Sequence, residues 1–334
     1  MAKMYLHAGT HKTGTTAIQT FAVQNREQLL AKGLLYPDFS PHSLKQKDGH
    51  HQFAHSVAES GTAKMTIVDV AVLIDHWHQQ AEKHGADVLI SVEALYRHQI
   101  GTGTVHERRL EFLRRVAKML SEFEVELILV FRRPDDFARS LYQEHISSNT
   151  PRRTLPPLTE WVRTSNLFQL DYFDSARFFR QAFPNSRFLI YEDMAVGGAL
   201  YRNFFAKLGV DISSMENPGR VRRSLTVPET VVRNYAGDFL DNRKAARQFN
   251  EWLKSPEISD RVAAVFGGSR FDLWPSHAER AAFLDSRNDD IEALRESFFP
   301  GRERLFPSLQ EGDTLPPVPE LSEEIKELVD EQFE

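Results

Sequence analysis

The residues whose chemistry is easiest to name stand near the start of the chain. An apolar run, Met4–His7, leads into His7-Ala8-Gly9-Thr10-His11-Lys12-Thr13-Gly14-Thr15-Thr16, and a helical pattern continues through Ile18, Phe21 and Ala22. A strand, a glycine-bearing turn and a helix N-terminus, in that order, direct backbone N–H groups and the positive end of the helix dipole at one point. That arrangement suits a phosphate or a similar anion. Gly9 and Gly14 keep the four-residue gap of a Walker A loop, yet Thr15 stands where that motif carries lysine, and the loop's own lysine comes earlier, at Lys12. A nucleoside triphosphate site also needs an acid for magnesium, whereas the apolar run Glu126–Phe131 ends in Arg132-Arg133. Taken alone, the glycines fit an ordinary strand-to-helix turn as well.

Three further places carry chemistry. After Phe131 comes Arg132-Arg133-Pro134-Asp135-Asp136-Phe137-Ala138-Arg139-Ser140. Pro134 suits the first turn of a helix, so Arg132 projects from the strand end and Ser140 from nearly two turns into the helix. A guanidinium fork and a hydroxyl suit a phosphate monoester; a surface arginine paired with Asp135 or Asp136 fits the same string. Glu93 follows the run Val88–Val92, and a carboxylate at the carboxyl end of a parallel strand faces the crevice where such sheets bind ligands. As a general base it needs a raised pKa and reach to a hydroxyl; otherwise it is a helix-capping or loop-holding acid. His51, beside His50 in the polar stretch after Tyr36-Pro37, is the rival base, since a neutral imidazole accepts a proton near pH 7. His51 and His55 have the i, i+4 spacing of a helical metal pair, but no third ligand accompanies them, so no metal is expected. His76, His78 and His84 fit the polar face of a helix.

These side chains need a scaffold. Met4–His7, Val88–Val92, Glu126–Phe131 and Phe188–Tyr191 have the pattern of buried parallel strands. Ile67, Val70, Ala71, Ile74 and Trp77 share one helical face, as do Leu110, Leu113, Val116 and Leu120. Strands alternating with helices imply right-handed crossovers and a sheet covered on both faces. The expected fold class is therefore α/β, a P-loop-like three-layer fold with a central parallel sheet flanked by helices and a helical second half from about Leu158. Pro151–Pro157 fits a surface loop inside one domain spanning 1–315. Pro316, Pro317 and Pro319 then set off an acidic C-terminal helix or tail, 316–334, in which Leu321, Ile325, Leu328 and Val329 form an apolar stripe among acids, as in a terminal helix, docked or frayed.

Composition narrows the function classes. The 334 residues carry 41 Lys+Arg against 47 Asp+Glu, a balance unsuited to a protein held on nucleic acid by phosphate contacts. Residues 320–334 hold seven acids and one lysine, which equals the whole net charge of −6 and leaves the body formally neutral. The absence of cysteine excludes a disulfide scaffold, a thiolate nucleophile and Cys-based metal sites. No segment approaches the ~20 apolar residues of a membrane span. A soluble, cytoplasmic protein is expected.

The string Lys12-Thr13-Gly14-Thr15-Thr16 after an apolar strand resembles the 5′-phosphosulfate loop of sulfotransferases that use 3′-phosphoadenosine-5′-phosphosulfate (PAPS). Arg132 and Ser140 match the spacing of that family's 3′-phosphate-binding element. Phe188-Leu189-Ile190-Tyr191-Glu192-Asp193-Met194 is similar to the Tyr-Glu-Asp strand end of its cytosolic members. The three motifs come in family order, and residues 217–224 (NPGRVRRS) and 298–306 (FFPGRERLF) resemble late segments of bacterial members. The resemblance implies that Lys12, Thr13, Gly14, Thr15 and Thr16 hold the donor's 5′-phosphate and sulfonyl oxygens. By the same resemblance Arg132 and Ser140 hold its 3′-phosphate, Tyr191 lies near its adenine, and Arg222 or Arg223 closes over the 3′-phosphate. The implied reaction is in-line transfer of a sulfuryl group to a hydroxyl of a carbohydrate or small metabolite, leaving 3′,5′-bisphosphoadenosine. Lys12 would then stand at the oxygen joining sulfur to the departing phosphate, and no metal is required.

Under that resemblance the base stays open between Glu93, whose topological place is comparable to that of the catalytic histidine of cytosolic members, and His51. A phosphotransferase using a nucleoside triphosphate and magnesium, and a non-catalytic binder of bisphosphoadenosine, are the other classes the loop admits. The tract Ser147–Arg153, with Arg152 and Arg153, fits either an anionic acceptor or a solvated loop. Expected partners are a small-molecule or glycan acceptor and no nucleic acid.

Overall fold

A computed structural model describes residues 2–10, 13–44, 49–217, 219 and 223–333. Its strands are β1 (Lys3–His7), β2 (Leu34–Leu35), β3 (Asp87–Ser91), β4 (Glu124–Phe131) and β5 (Ser186–Ile190). The helices used below are, in chain order, α1 (Thr15–Gln24), α2 (His51–Val57), α3 (Ile67–His84), α4 (Val105–Met119), α5 (Pro134–Ile146), α6 (Tyr172–Ala182), α7 (Leu200–Lys207), α8 (Val227–Tyr235), α9 (Arg243–Leu253), α10 (Pro256–Val265), α11 (His277–Asp285) and α12 (Glu323–Asp330).

The strands form one five-stranded parallel sheet in the order β2-β3-β1-β4-β5, so the fold is α/β with a helical C-terminal half. Burial on both faces explains why β1 and β4 are almost continuously apolar. β2 had no periodic signal because it is two residues long, squeezed between Gly33 at φ +80° and Tyr36-Pro37. β1 sits at the centre, His7 opposite Ser91 of β3 on one side and Ile128 of β4 on the other. The chain leaves β1 toward β2 at one edge and leaves β4 toward β5 at the other. That divergence is a topological switch point, the usual crevice for ligands in open α/β sheets.

Glu126, which interrupts the apolar run of β4, is buried and binds Lys3 Nζ at 2.8 Å and the guanidinium of Arg187. One acid thus ties three neighbouring strands together, and its hydrogen bond pushes the Lys3 ammonium pKa up. α3 starts on a capping box between Thr66 and Asp69 and ends at Gly85 in the left-handed conformation. It buries Val70, Leu73, Ile74, Trp77 and Ala81; the expected Ala71 is exposed and Leu73 takes its place, a small rotation of the face. α4 likewise buries Phe112, Leu113 and Val116.

The chain divides into two compact units. The first comprises Met1–Arg133, Asp171–Val221 and Asp290–Pro307, and the second Pro134–Leu170, Arg222–Asp289 and Ser308–Glu334. The first holds the sheet and a core in which Tyr5, Ile18, Phe21, Ile128, Met194, Phe204 and Phe205 meet. The second is helical, and its core joins Val232, Phe249, Leu253 and Val262 to Ile325, Leu328 and Val329 of α12. The acidic tail therefore docks by its apolar stripe, with its acids outward. A buried charge cluster also braces this unit. Arg280 on α11 donates to Asp135 at 2.6 Å, to Asp136 at 3.2 Å and to Asp272 at 3.3 Å, and Arg139 bonds Asp136 at 2.8 Å. Among the described residues no helix is long and apolar enough to cross a membrane.

Candidate functional site

The glycine loop continues β1 without a break in pairing. Ala8 N–H donates to Ile128 O at 2.8 Å and Thr10 N–H to Val130 O at 3.1 Å, so the first half of the loop is fastened to β4. Thr10 Oγ1 also donates to Val130 O at 2.8 Å, and Thr13 Oγ1 to Thr10 O at 2.7 Å. Gly14 then turns the chain into α1 at φ +76°, where residues other than glycine are strained. A Cβ on Gly14 would collide with Leu200 and lie 3.5 Å from the Tyr191 ring. A Cβ on Gly9 would lie 2.6 Å from Thr13 Oγ1 and 2.7 Å from Thr15 Oγ1. Both glycines are thus required by close approach of their neighbours. α1 has no capping side chain and no acid in its first turn, so the N–H groups of Thr15, Thr16 and Ala17 have no partner within the helix. This is the local design of an anion site. Lys12, the proposed cation of the loop, lies outside the described residues, as does Arg222.

Two of the other sequence motifs come to the same loop. Arg132, just beyond β4, holds its guanidinium carbon 5.0 Å from the centre of the Tyr191 ring, the ring that packs beside Gly14. The end of β4 is fixed from behind. Tyr172 Oη donates to Arg132 O at 2.8 Å, and Arg133 N–H donates to Glu192 Oε1 at 2.9 Å. Arg302, from the late segment FFPGRERLF, reaches Asp193 Oδ1 at 3.2 Å, so that segment supports the Tyr-Glu-Asp strand end. Gly14, Arg132 and Tyr191 are therefore neighbours inside the first unit.

The two candidate bases are brought to the carboxyl end of β3. Glu93 begins a short 3-10 turn two residues beyond Ser91. His50 N–H donates to Ser91 O at 2.8 Å and Ser91 N–H to His50 Nδ1 at 3.2 Å, which docks the start of α2, and with it His51, against β3. His50 Nε2 donates to Pro37 O at 2.9 Å. Burial holds its imidazole far below the ordinary range, at about 3, so it is neutral and structural. His55 turns to His98, Nδ1 to Nε2 at 2.8 Å. His55 is thus engaged with His98, and among the described residues no three His, Asp or Glu side chains group around a metal position.

The remaining expected residues belong to the second unit. Ser140 lies half-buried on α5, and Asp135 and Asp136 of the same helix bind Arg280. Arg223 pairs with Glu229 and Ser259, and Glu229 also caps α8 by accepting from Thr226 N–H at 2.8 Å. Closure of Arg223 over a phosphate therefore requires giving up a neutralised pair. Arg152 pairs with Asp241 at 2.8 Å on the surface. The carbonyls of Ser147 and Ser148 are held by Asn250 at 2.9 Å and by buried Arg233 at 3.1 Å, so this tract is a clamped loop.

Two groups that position the site had no assigned role in the sequence. Glu192 stood inside a quoted string, but its partner is a backbone N–H that no side-chain pattern reveals. Tyr172 meets a carbonyl forty positions away and gave no local signal. Comparison with known proteins finds no matching family model, no matching curated protein and no matching solved structure.

Proposed function

We propose that the protein is a sulfotransferase that carries the sulfuryl group of PAPS to a hydroxyl of a carbohydrate or small metabolite. The observation that carries this proposal is the meeting, within one unit, of the Gly9–Thr16 loop, the Arg132 guanidinium and the Tyr191 ring. An N–H-lined loop suits one phosphate, a guanidinium suits another, and an aromatic face suits a purine. A nucleotide phosphorylated at two separate positions presents those three groups.

In this proposal Thr13, Gly14, Thr15 and Thr16, with Lys12, hold the 5′-phosphosulfate. Arg132 binds the 3′-phosphate. When bound, PAPS supplies an activated sulfuryl group on a phosphate leaving group. Lys12 and the first-turn N–H groups of α1 stabilise negative charge where it accumulates on that phosphate. Glu93 or His51 takes the proton of the acceptor hydroxyl. A sulfonyl group carries less charge than a terminal phosphate, so magnesium is not called for. A soluble cytoplasmic enzyme accords with the cysteine-free chain.

The test is a thermal shift measurement with 3′,5′-bisphosphoadenosine against ATP plus magnesium. A ligand that binds only the folded state raises Tm, by about 2.7 kcal/mol of stability at a hundredfold excess over Kd. Stabilisation by the bisphosphate is expected; stabilisation by ATP–magnesium alone would assign the loop to phosphoryl transfer. Arg132→Ala should weaken bisphosphate binding by roughly 10- to 100-fold, the loss of one charge-assisted contact.

A further inference from the structure

Beneath the loop lies a buried polar group that the reaction above does not use. His7, the last residue of β1, is fully buried, with its ring 4.7 Å from that of Phe204 and Nδ1 2.9 Å from Ser91 Oγ. Ser91 Oγ also receives Gln19 Nε2–H at 3.1 Å, and the same atom donates to Ser91 O at 3.4 Å, which identifies it as the amide nitrogen. With Gln19 donating, the Ser91 hydroxyl proton has one acceptor within reach among the described residues, His7 Nδ1. The imidazole proton is therefore on Nε2.

No described residue accepts that buried Nε2–H. The atom lies 3.5 Å from the point where a side chain on Gly9 would begin, and Thr13 Oγ1 and Thr15 Oγ1 border the same point. A donor thus lies directly beneath the loop, at the point where glycine has no side chain. Burial holds the imidazole pKa at about 4 against the opposing pull of Glu93, so near neutral pH the ring is an uncharged donor.

We propose that His7 is a ligand-contacting residue of the loop: its Nε2–H, fixed in that tautomer by Ser91 and Gln19, donates to an oxygen of the anion seated over Gly9 and the first turn of α1. This rests on the assignment of the loop as the seat of the donor's phosphosulfate. The function it adds is discrimination by hydrogen bonding without charge.

The experiment follows the ring directly, by long-range 1H–15N spectra of protein labelled at histidine, titrated with inorganic pyrophosphate and, separately, with 3′,5′-bisphosphoadenosine. The His7 spectrum should show the Nε2–H tautomer, and its Nε2 resonance should move on saturation with either ligand. Two substitutions divide the ring's functions, because an Asn amide replaces Nδ1 and a Gln amide replaces Nε2. His7→Gln should keep affinity within about threefold of the original protein, while His7→Asn should lose about tenfold or more. Binding of either ligand with an unmoved Nε2 resonance would overturn the proposal and leave the sulfotransferase assignment intact. A response to pyrophosphate without bisphosphate binding would support His7 and overturn the sulfotransferase. If neither ligand binds, both fall. The spectra use the unaltered chain, so the proposal stays open to refutation even if the Asn variant does not fold.

Discussion

Gly14 carries two constraints at once, a left-handed backbone and contact with Leu200 and Tyr191. Gly14→Ala should therefore cost at least the ~1–2 kcal/mol of that conformation, and it should weaken bisphosphate binding by displacing Tyr191. A Tm and an affinity both equal to those of the parent would refute the account. The choice of base is decided at the same scale. Glu93→Gln should leave bisphosphate affinity unchanged and lower turnover by roughly 10²–10⁴-fold. Unaltered turnover there, with a loss in His51→Asn, would give the role to His51. Neither answer was available from spacing, since both residues flank one backbone pairing, His50 with Ser91, that joins segments 41 positions apart.

Among the elements, α12 is the terminal helix that the sequence left either docked or frayed. Three prolines set residues 316–334 apart, and Ile325, Leu328 and Val329 are buried in the core of the second unit. Each buried aliphatic side chain is worth about 1.5–3 kcal/mol. Deletion of residues 316–334 should lower Tm by several degrees, and an unchanged melting curve would show the helix to be dispensable. The α5 and α11 pair makes a sharper case. Asp135 and Arg280 are almost wholly buried, so Asp135→Asn leaves a guanidinium without its nearest acid and should destabilise by about 3–5 kcal/mol, measured by denaturant unfolding. The sequence offered Asp135 as a partner for a neighbouring arginine; its partner lies 145 positions on, where only the fold could bring it.

At the scale of the molecule, acid should be destabilising through buried histidines. His7 and His50 are held at about 4 and about 3 by burial, below the ordinary value near 6.5. The unfolded chain then binds more protons than the native one over that interval, so stability present above pH 6.5 is lost as pH falls. Each group contributes on the order of 3 kcal/mol by pH 4. Denaturant unfolding at pH 7 and pH 4.5 should show a lower midpoint in acid, and equal midpoints would contradict the burial of both rings. Sequence alone determined the α/β class, four of the strands and the glycine-bearing turn from β1 into α1, because these are written in local patterns: continuous apolar runs, helical period, and glycine before a helix. What only the tertiary structure decided is the company each residue keeps. The neighbourhood of Gly14, Tyr191 and Arg132, the docking of α12, and the orphan donor of His7 depend on contacts between distant segments. Those contacts are set by strand order and packing, which no local pattern records.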